Sequence, residues 1–133
     1  MKVPFYRHNL NQKSYKDALS NVLNNEFLTT GPICKKVQST LEAYFAVESC
    51  ILTSSWTSGA QALLRYIKNE HLDEKESTVL TTSMTFCATA NVAINERHNV
   101  QLLDVSSETL HPSFDDIVES IENNNNIKIV LYV

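Results

Sequence analysis

Glycine is nearly missing from this sequence. Only Gly31 and Gly59 occur in 133 residues, too few and too far apart for the glycine-rich loops that hold dinucleotides or nucleoside triphosphates. Cysteine is scarce and odd in number. Cys34, Cys50 and Cys87 show no paired-cysteine spacing, which argues against a disulfide framework or a structural zinc site, and they are expected to be reduced, packed thiols. His8, His71, His98 and His111 have no metal-ligand spacing with one another or with a cysteine, so they are expected to be isolated surface or loop residues and no metal is assigned. No serine sits in a nucleophile elbow. No apolar run approaches the roughly 20 residues that span a bilayer, and Met1-Lys2-Val3-Pro4-Phe5 does not lead into an apolar signal segment. No membrane association and a cytoplasmic location are therefore expected. Positive charge is short as well: 11 Lys and Arg stand against 15 acids, for a net charge of −4. Without a basic stripe, nucleic acid is not an expected partner.

What is present is a globular composition, 43% hydrophobic and 20% charged, in a chain long enough to bury a core of its own. Ser14 can cap a helix whose apolar residues Tyr15, Ala18, Leu19, Val22 and Leu23 recur at helical spacing, ending at Asn24-Asn25. That face needs something to pack on. Pro32 suits the first turn of a second helix with Ile33, Val37, Leu41, Tyr44 and Phe45 on one side. The pattern then changes. Cys50-Ile51-Leu52-Thr53 is a short apolar run with β-branched residues, followed by a Ser/Thr cluster and a helical stretch. The step repeats with Thr78-Val79-Leu80-Thr81 before a helix through Ala90 and Ile94. It repeats again with Val100-Gln101-Leu102-Leu103 before a helix carrying Phe114, Ile117, Val118 and Ile121. A fourth strand, Ile127 to Val133, is apolar on both faces, as a buried parallel strand is, yet no covering helix follows it. Strands alternating with helices imply right-handed crossovers and an α/β fold, a mainly parallel sheet covered by helices. Asn123 to Asn126 reads as a solvated turn.

In such sheets ligands sit beyond the carboxyl ends of the strands. Thr53-Ser54-Ser55-Trp56-Thr57-Ser58-Gly59-Ala60 runs into a helix start, which gathers backbone N–H groups, hydroxyls and the positive end of a helix dipole. Such a site suits a phosphate, although an ordinary helix cap in a polar loop accounts for the same residues. In Thr81 to Asn91 one aromatic, Phe86, stands among small residues at a helix start. It could stack on a planar ligand, but by residue type alone it belongs between helix and sheet. Asp104 and Glu108 in the third loop are explained by a solvated turn. The ligand these loops suit is a phosphate attached to something planar.

Five segments in order carry a resemblance: Phe27-Leu28-Thr29-Thr30-Gly31-Pro32, Leu41-Glu42-Ala43-Tyr44-Phe45, Ser54-Ser55-Trp56-Thr57-Ser58-Gly59, Thr85-Phe86-Cys87-Ala88-Thr89-Ala90-Asn91 and Leu103-Asp104-Val105. The sequence resembles the DegT-type sugar aminotransferases of the fold-type-I pyridoxal-phosphate class over nearly its whole length. The resemblance implies that residues 1–133 are the amino-terminal portion of a transferase large domain, an incomplete one. It implies cofactor contacts at Ser55, Trp56, Thr57 and Ser58, which match the phosphate-cradling turn, and at Phe86, which matches the aromatic on the pyridine ring. Thr30 and Gly31 match a loop near the sugar substrate. Trp56 departs from the Gly or Ala usual at its place, so its role rests on its main chain.

The resemblance further implies that the parent, a homodimer, transfers an amino group from glutamate to a keto group of a nucleotide-linked sugar. The lysine that anchors pyridoxal phosphate and the aspartate that holds the ring nitrogen protonated fall beyond the matched region, so no catalytic residue is assigned here and the chain alone is expected to be inactive. Two alternatives stand beside this reading. One is a sugar dehydratase of the same family, with histidine in place of that lysine; the other, motivated by the apolar last strand, is a truncated non-enzymatic remnant or partner-binding module.

Overall fold

The computed structural model describes residues 12–24, 27, 29–72 and 76–133, and the chain divides into two compact units, up to Leu52 and from Thr53 onward. His8, Asn25 and Leu28, named above, lie outside the described residues.

The first unit contains helices α1 (Gln12–Leu23) and α2 (Pro32–Phe45). Helix α1 starts before Ser14, so that serine lies inside the helix and does not cap it. Its expected apolar face stays open: Tyr15, Leu19 and Leu23 are all exposed. Pro32 does occupy the first turn of α2, where its missing N–H costs nothing, behind an extended Gly31. Helix α2 closes on Ala46 in the left-handed region at φ 52°, with its N–H returned to the Glu42 carbonyl.

The expected strand at Cys50–Thr53 does not form. A strand needs a partner edge, whereas the main chain of Cys50 is engaged by side chains of α2: its N–H donates to Glu42 Oε1 at 3.0 Å and its carbonyl accepts from Gln38 Nε2 at 2.7 Å. Ile51 is 81% exposed, so β-branched propensity found neither a ladder nor a buried face there.

The second unit is α/β. Its elements are α3 (Trp56–His71), β1 (Thr78–Thr82), α4 (Ala88–Asn95), β2 (Asn99–Leu103), α5 (Phe114–Asn123) and β3 (Ile127–Leu131). All pairs are parallel, in the order β2-β1-β3, with Val79 opposite Val100 on one side and Ile129 on the other. The chain steps from β1 to β2, then crosses back over β1 to β3. With right-handed crossovers, those opposite steps place α4 and α5 on opposite faces of the sheet. One face buries Leu64 of α3, Val79, and Val92 and Ala93 of α4 in a common cluster, with Val100, Ile129 and Leu131 packed against it. Helix α5 starts with a capping box, Ser113 Oγ accepting from Asp116 N–H and Asp116 Oδ2 accepting from Ser113 N–H.

The last strand is shorter than expected and ends at Leu131. It is an edge strand among the described residues, with Val130 at 42% exposure. Burial on both faces belongs to β1, where all five residues are buried. Cys87 is exposed, and so is not the packed thiol expected, while Cys34 and Cys50 are partly buried.

Leu64 is 1% exposed at the centre of the cluster, and its neighbour Leu63 is 55% exposed. Leu64→Ala is expected to cost about 2–5 kcal/mol through lost transfer energy and the cavity left behind, and Leu63→Ala less than about 0.5 kcal/mol. Urea unfolding of the two variants separates these outcomes.

Candidate functional site

Helix α3 begins where the Ser/Thr cluster ends. Ser55 is extended (φ −159°, ψ 162°) and its side chain accepts from Ser58 N–H at 3.1 Å, which makes it the N-cap. The first i to i+4 bond runs from Gly59 N–H to the Ser55 carbonyl, 3.1 Å. Ser58 and Gly59 have therefore spent their N–H groups, and Trp56 and Thr57 are the residues of this turn whose N–H groups have no partner among the described residues. A helix start leaves such donors pointing outward along the axis, where an anion also meets the positive end of the dipole.

The hydroxyls add to this. Ser58 Oγ lies 2.6 Å from Ser55 Oγ and 3.0 Å from Ser54 Oγ. Three hydroxyl protons serve two contacts, so one proton remains to be donated to an incoming acceptor. Thr57 is exposed, with its hydroxyl free among the described residues. Gly59 is required by packing, since a Cβ there would stand 2.9 Å from Thr53 Oγ1. Thr53 is itself held by a 2.9 Å bond to the Ser55 carbonyl. The indole of Trp56 is 53% exposed.

Phe86 lies in the connection that leaves the carboxyl end of β1. Thr89 N–H donates to its carbonyl at 2.9 Å, and Thr85 and Thr89 share a 2.9 Å hydroxyl contact that ties the connection to the first turn of α4. Phe86 is 78% exposed, so it is not the core residue that its type alone suggests. Helix α3 leads into the amino end of β1, so its own start and the Phe86 connection both lie toward the carboxyl end of the strand. Ser55, Trp56, Thr57, Ser58 and Phe86 thus belong to one unit and one side of the sheet. Asp104, beyond β2, is exposed, with Oδ1 accepting from Val105 N–H at 2.8 Å, as a solvated turn requires.

Thr30 and Gly31 belong to the first unit. Gly31 is buried, and a Cβ on it would meet the Phe27 carbonyl oxygen at 2.9 Å. Thr30 adopts φ 51°, an unusual backbone for a β-branched residue, with Oγ1 donating to the Thr29 carbonyl at 2.8 Å. With Phe27, Pro32 and Lys35 they line a pocket of about 510 Å3.

The profile of the DegT/DnrJ/EryC1/StrS aminotransferase family matches residues 9–133. This chain belongs to that family. Its relatives include the UDP-4-amino-4,6-dideoxy-N-acetyl-beta-L-altrosamine transaminases of two Campylobacter jejuni strains, 81-176 and NCTC 11168. They are 32% and 30% identical over 103 residues, which make up 77% of this chain and 26% of each relative. Among solved structures, a protein described as a sugar aminotransferase of Streptococcus pneumoniae, in its PLP-form, superposes with a TM-score of 0.80 at 18% identity. That match covers 99% of this chain and 32% of the other, and it bears out the α/β fold. The family member described here thus spans about a quarter of the length of the curated relatives it matches. Among its described residues no helix is long and apolar enough to cross a membrane.

Sequence reasoning missed a buried polar group in this family member. His98, expected at the surface or in a loop, is 4% exposed, beside the equally buried Ser77, Glu96 and Lys68. The available signal was its place at the mouth of the strand Asn99–Leu103, where a ring is enclosed by the helix packed above.

Ser55→Ala removes the N-cap and is expected to cost about 1 kcal/mol, whereas Ser55→Asp, which also caps, leaves stability close to that of the parent. Thermal unfolding of the two variants followed by circular dichroism checks both outcomes.

Proposed function

We propose that this chain is the amino-terminal portion of a pyridoxal-phosphate-dependent transferase large domain whose whole protein, a homodimer, moves an amino group from glutamate to a keto group of a nucleotide-linked sugar. The observation that carries the reading is the start of α3, where the N–H groups of Trp56 and Thr57, unpartnered among the described residues, and a spare serine proton stand together in a member of an aminotransferase family. The residues present fit one end and one face of the cofactor. Thr57 and Trp56 hold the phosphate by N–H donation, the Ser54, Ser55 and Ser58 hydroxyls supply a further donor, and exposed Phe86 offers a ring to the pyridine face. Pyridoxal phosphate, when bound, acts as the electron sink for amino transfer. What this chain contributes is binding and orientation, with Thr30 and Gly31 proposed as sugar contacts. No lysine of the chain is assigned the covalent role.

Support for the amino-transfer reading comes from the transaminase activity that names the Campylobacter relatives and from the family membership. Its test is a version of the protein continued to the length of those relatives and supplied with pyridoxal phosphate, glutamate and keto-sugar nucleotides. Amino-sugar formation is the expected result. A folded, cofactor-loaded protein that aminates no keto-sugar nucleotide would overturn it.

For the 133-residue chain itself, pyridoxal phosphate is expected to bind weakly through its phosphate and without a covalent anchor. Borohydride reduction and peptide mapping should give scattered, substoichiometric lysine labelling. Stoichiometric labelling of one lysine, abolished by Thr57→Ala or Phe86→Ala, is the contrary result. Ser55→Asp places a carboxylate at the anion site, and in low salt it should weaken phosphate binding by about tenfold or more while the cap is retained.

A further inference from the structure

The inward side of α3 carries a second polar arrangement, away from the phosphate turn. Gln61 Nε2 donates to Glu96 Oε1 at 2.8 Å, Arg65 Nε donates to Glu96 Oε2, and Lys68 Nζ donates to the Arg97 carbonyl. Next to these, His98 Nε2 lies 3.3 Å from the Leu64 carbonyl oxygen, and His98 Nδ1 lies 2.7 Å from Ser77 Oγ. Residues 61, 64, 65 and 68 form one stripe of α3, and residues 96–98 form the turn between α4 and β2. The two are joined side chain to side chain and side chain to main chain.

The ring's protonation state follows from its partners. A carbonyl can only accept, so Nε2 carries the proton. In the neutral ring Nδ1 is then an acceptor, and the Ser77 hydroxyl donates to it. Every polar atom of the ring is satisfied, inside a site where His98 and Ser77 are 4% and 1% exposed. Adding a proton at Nδ1 breaks this pattern. Ser77 must rotate its hydroxyl to accept, and a cation is created in a buried place. The charged groups facing it are Lys68 from α3, which opposes the new charge, and Glu96 from the turn, which favours it but is already paired with Arg65. Arg97 adjoins it in the chain. Glu76, before β1, is held by Asn99 Nδ2 at 2.7 Å.

We propose that His98 is a pH-operated latch: its neutral ring holds the inward stripe of α3 on the strand ends through Leu64 and Ser77, and protonation at Nδ1 releases it. Burial, followed by repulsion from Lys68, holds the ring's pKa below its ordinary value of 6.5 against the opposing pull of the Leu64 carbonyl and Glu96. The sign follows. With the folded pKa depressed, the unfolded chain takes up the proton first, so the latch's contribution is complete above 6.5 and is lost as pH falls from there through the folded value. Glu96 acts in a separate, lower window. Hydrogen bonding from Arg65, aided by Gln61, holds its carboxyl below 4.5 despite burial, so its contribution is complete above 4.5 and is lost below. Helix α3 carries Ser55, Trp56 and Thr57 at its start, so release at acid pH also loosens the phosphate turn. That consequence rests on the site proposed above, whereas the latch is tested without any ligand.

The test is nuclear magnetic resonance of the ligand-free chain between pH 7.5 and 4.5. The expected result is a His98 ring in the Nε2–H form that titrates below 6.5. Amide exchange over Leu64 to His71, corrected for its intrinsic pH dependence, should rise about tenfold for each pH unit that the ring's pKa is depressed. His98→Gln offers an amide N–H to Leu64 and a carbonyl oxygen to Ser77 and does not titrate, so α3 exchange should lose its step above pH 4.5. Ser77→Ala removes the donor that favours the neutral ring and should move the step to higher pH. A His98 ring that titrates at or above 6.5 in the parent chain overturns the latch, even if neither variant folds. So does an exchange step that survives in His98→Gln.

Discussion

Strand β1 is the member on which the second unit depends. Both of its edges are paired, to β2 and β3, and all of Thr78–Thr82 is buried. Three of those five residues are threonine, so their hydroxyls must find partners inside. Thr81 Oγ1 donates to the Leu131 carbonyl at 2.8 Å, and Thr82 Oγ1 accepts from Met84 N–H at 3.3 Å. The first of these bonds helps fix β3 beside β1, and the second shapes the start of the connection that presents Phe86. Val79 faces the cluster with Leu64, Val92 and Ala93, which seats α3 and α4. The loops of the second unit that carry Ser55–Ser58 and Phe86 are placed by what this one strand holds.

The repeating part of the fold was legible because its signals were local and agreed with one another. Apolar β-branched runs before helical periodicity located β1 and β2 to within a residue, the residues named for the two helices that follow fall in α4 and α5, and Pro32 located the start of α2. Failures came where a decision lay outside the local window. Cys50–Thr53 has the propensity of a strand, but a strand is a pairing, and the pairing groups of Cys50 were captured by Gln38 and Glu42. Ser14 looked like a cap because serine favours that place, yet helix α1 had already begun. Ile127–Val133 reads as doubly buried, but its place at a sheet edge is decided by which strand lies beside it.

The candidate site divides in the same way. A run of serine and threonine before a helix encodes donors at a helix start, and the cap geometry of Ser55 follows from its type. Residue type could not tell that Ser58 spends its N–H on that cap, which leaves Trp56 and Thr57 as the available main-chain donors. Phe86 was ambiguous by composition because an aromatic ring suits a core and a ligand face equally; its exposure removes the first of these. His98 misled for the converse reason: a histidine that carries no metal spacing can still be enclosed when neighbouring elements satisfy both ring nitrogens.

The bond from Thr81 to Leu131 joins residues 50 apart in sequence, and this separation sets an order on how the second unit is made. During synthesis α3, β1 and α4 emerge before β2, which can pair with β1 after a short crossover. The other edge of β1 has no native occupant until the ribosome has delivered β3, so for that interval Thr-Val-Leu-Thr-Thr presents an open ladder of main-chain donors and acceptors. At several residues per second the exposure lasts seconds, long enough for pairing with a neighbouring nascent chain. The feature that makes β1 the best-buried strand of the finished unit makes it the most vulnerable one while the chain is being built.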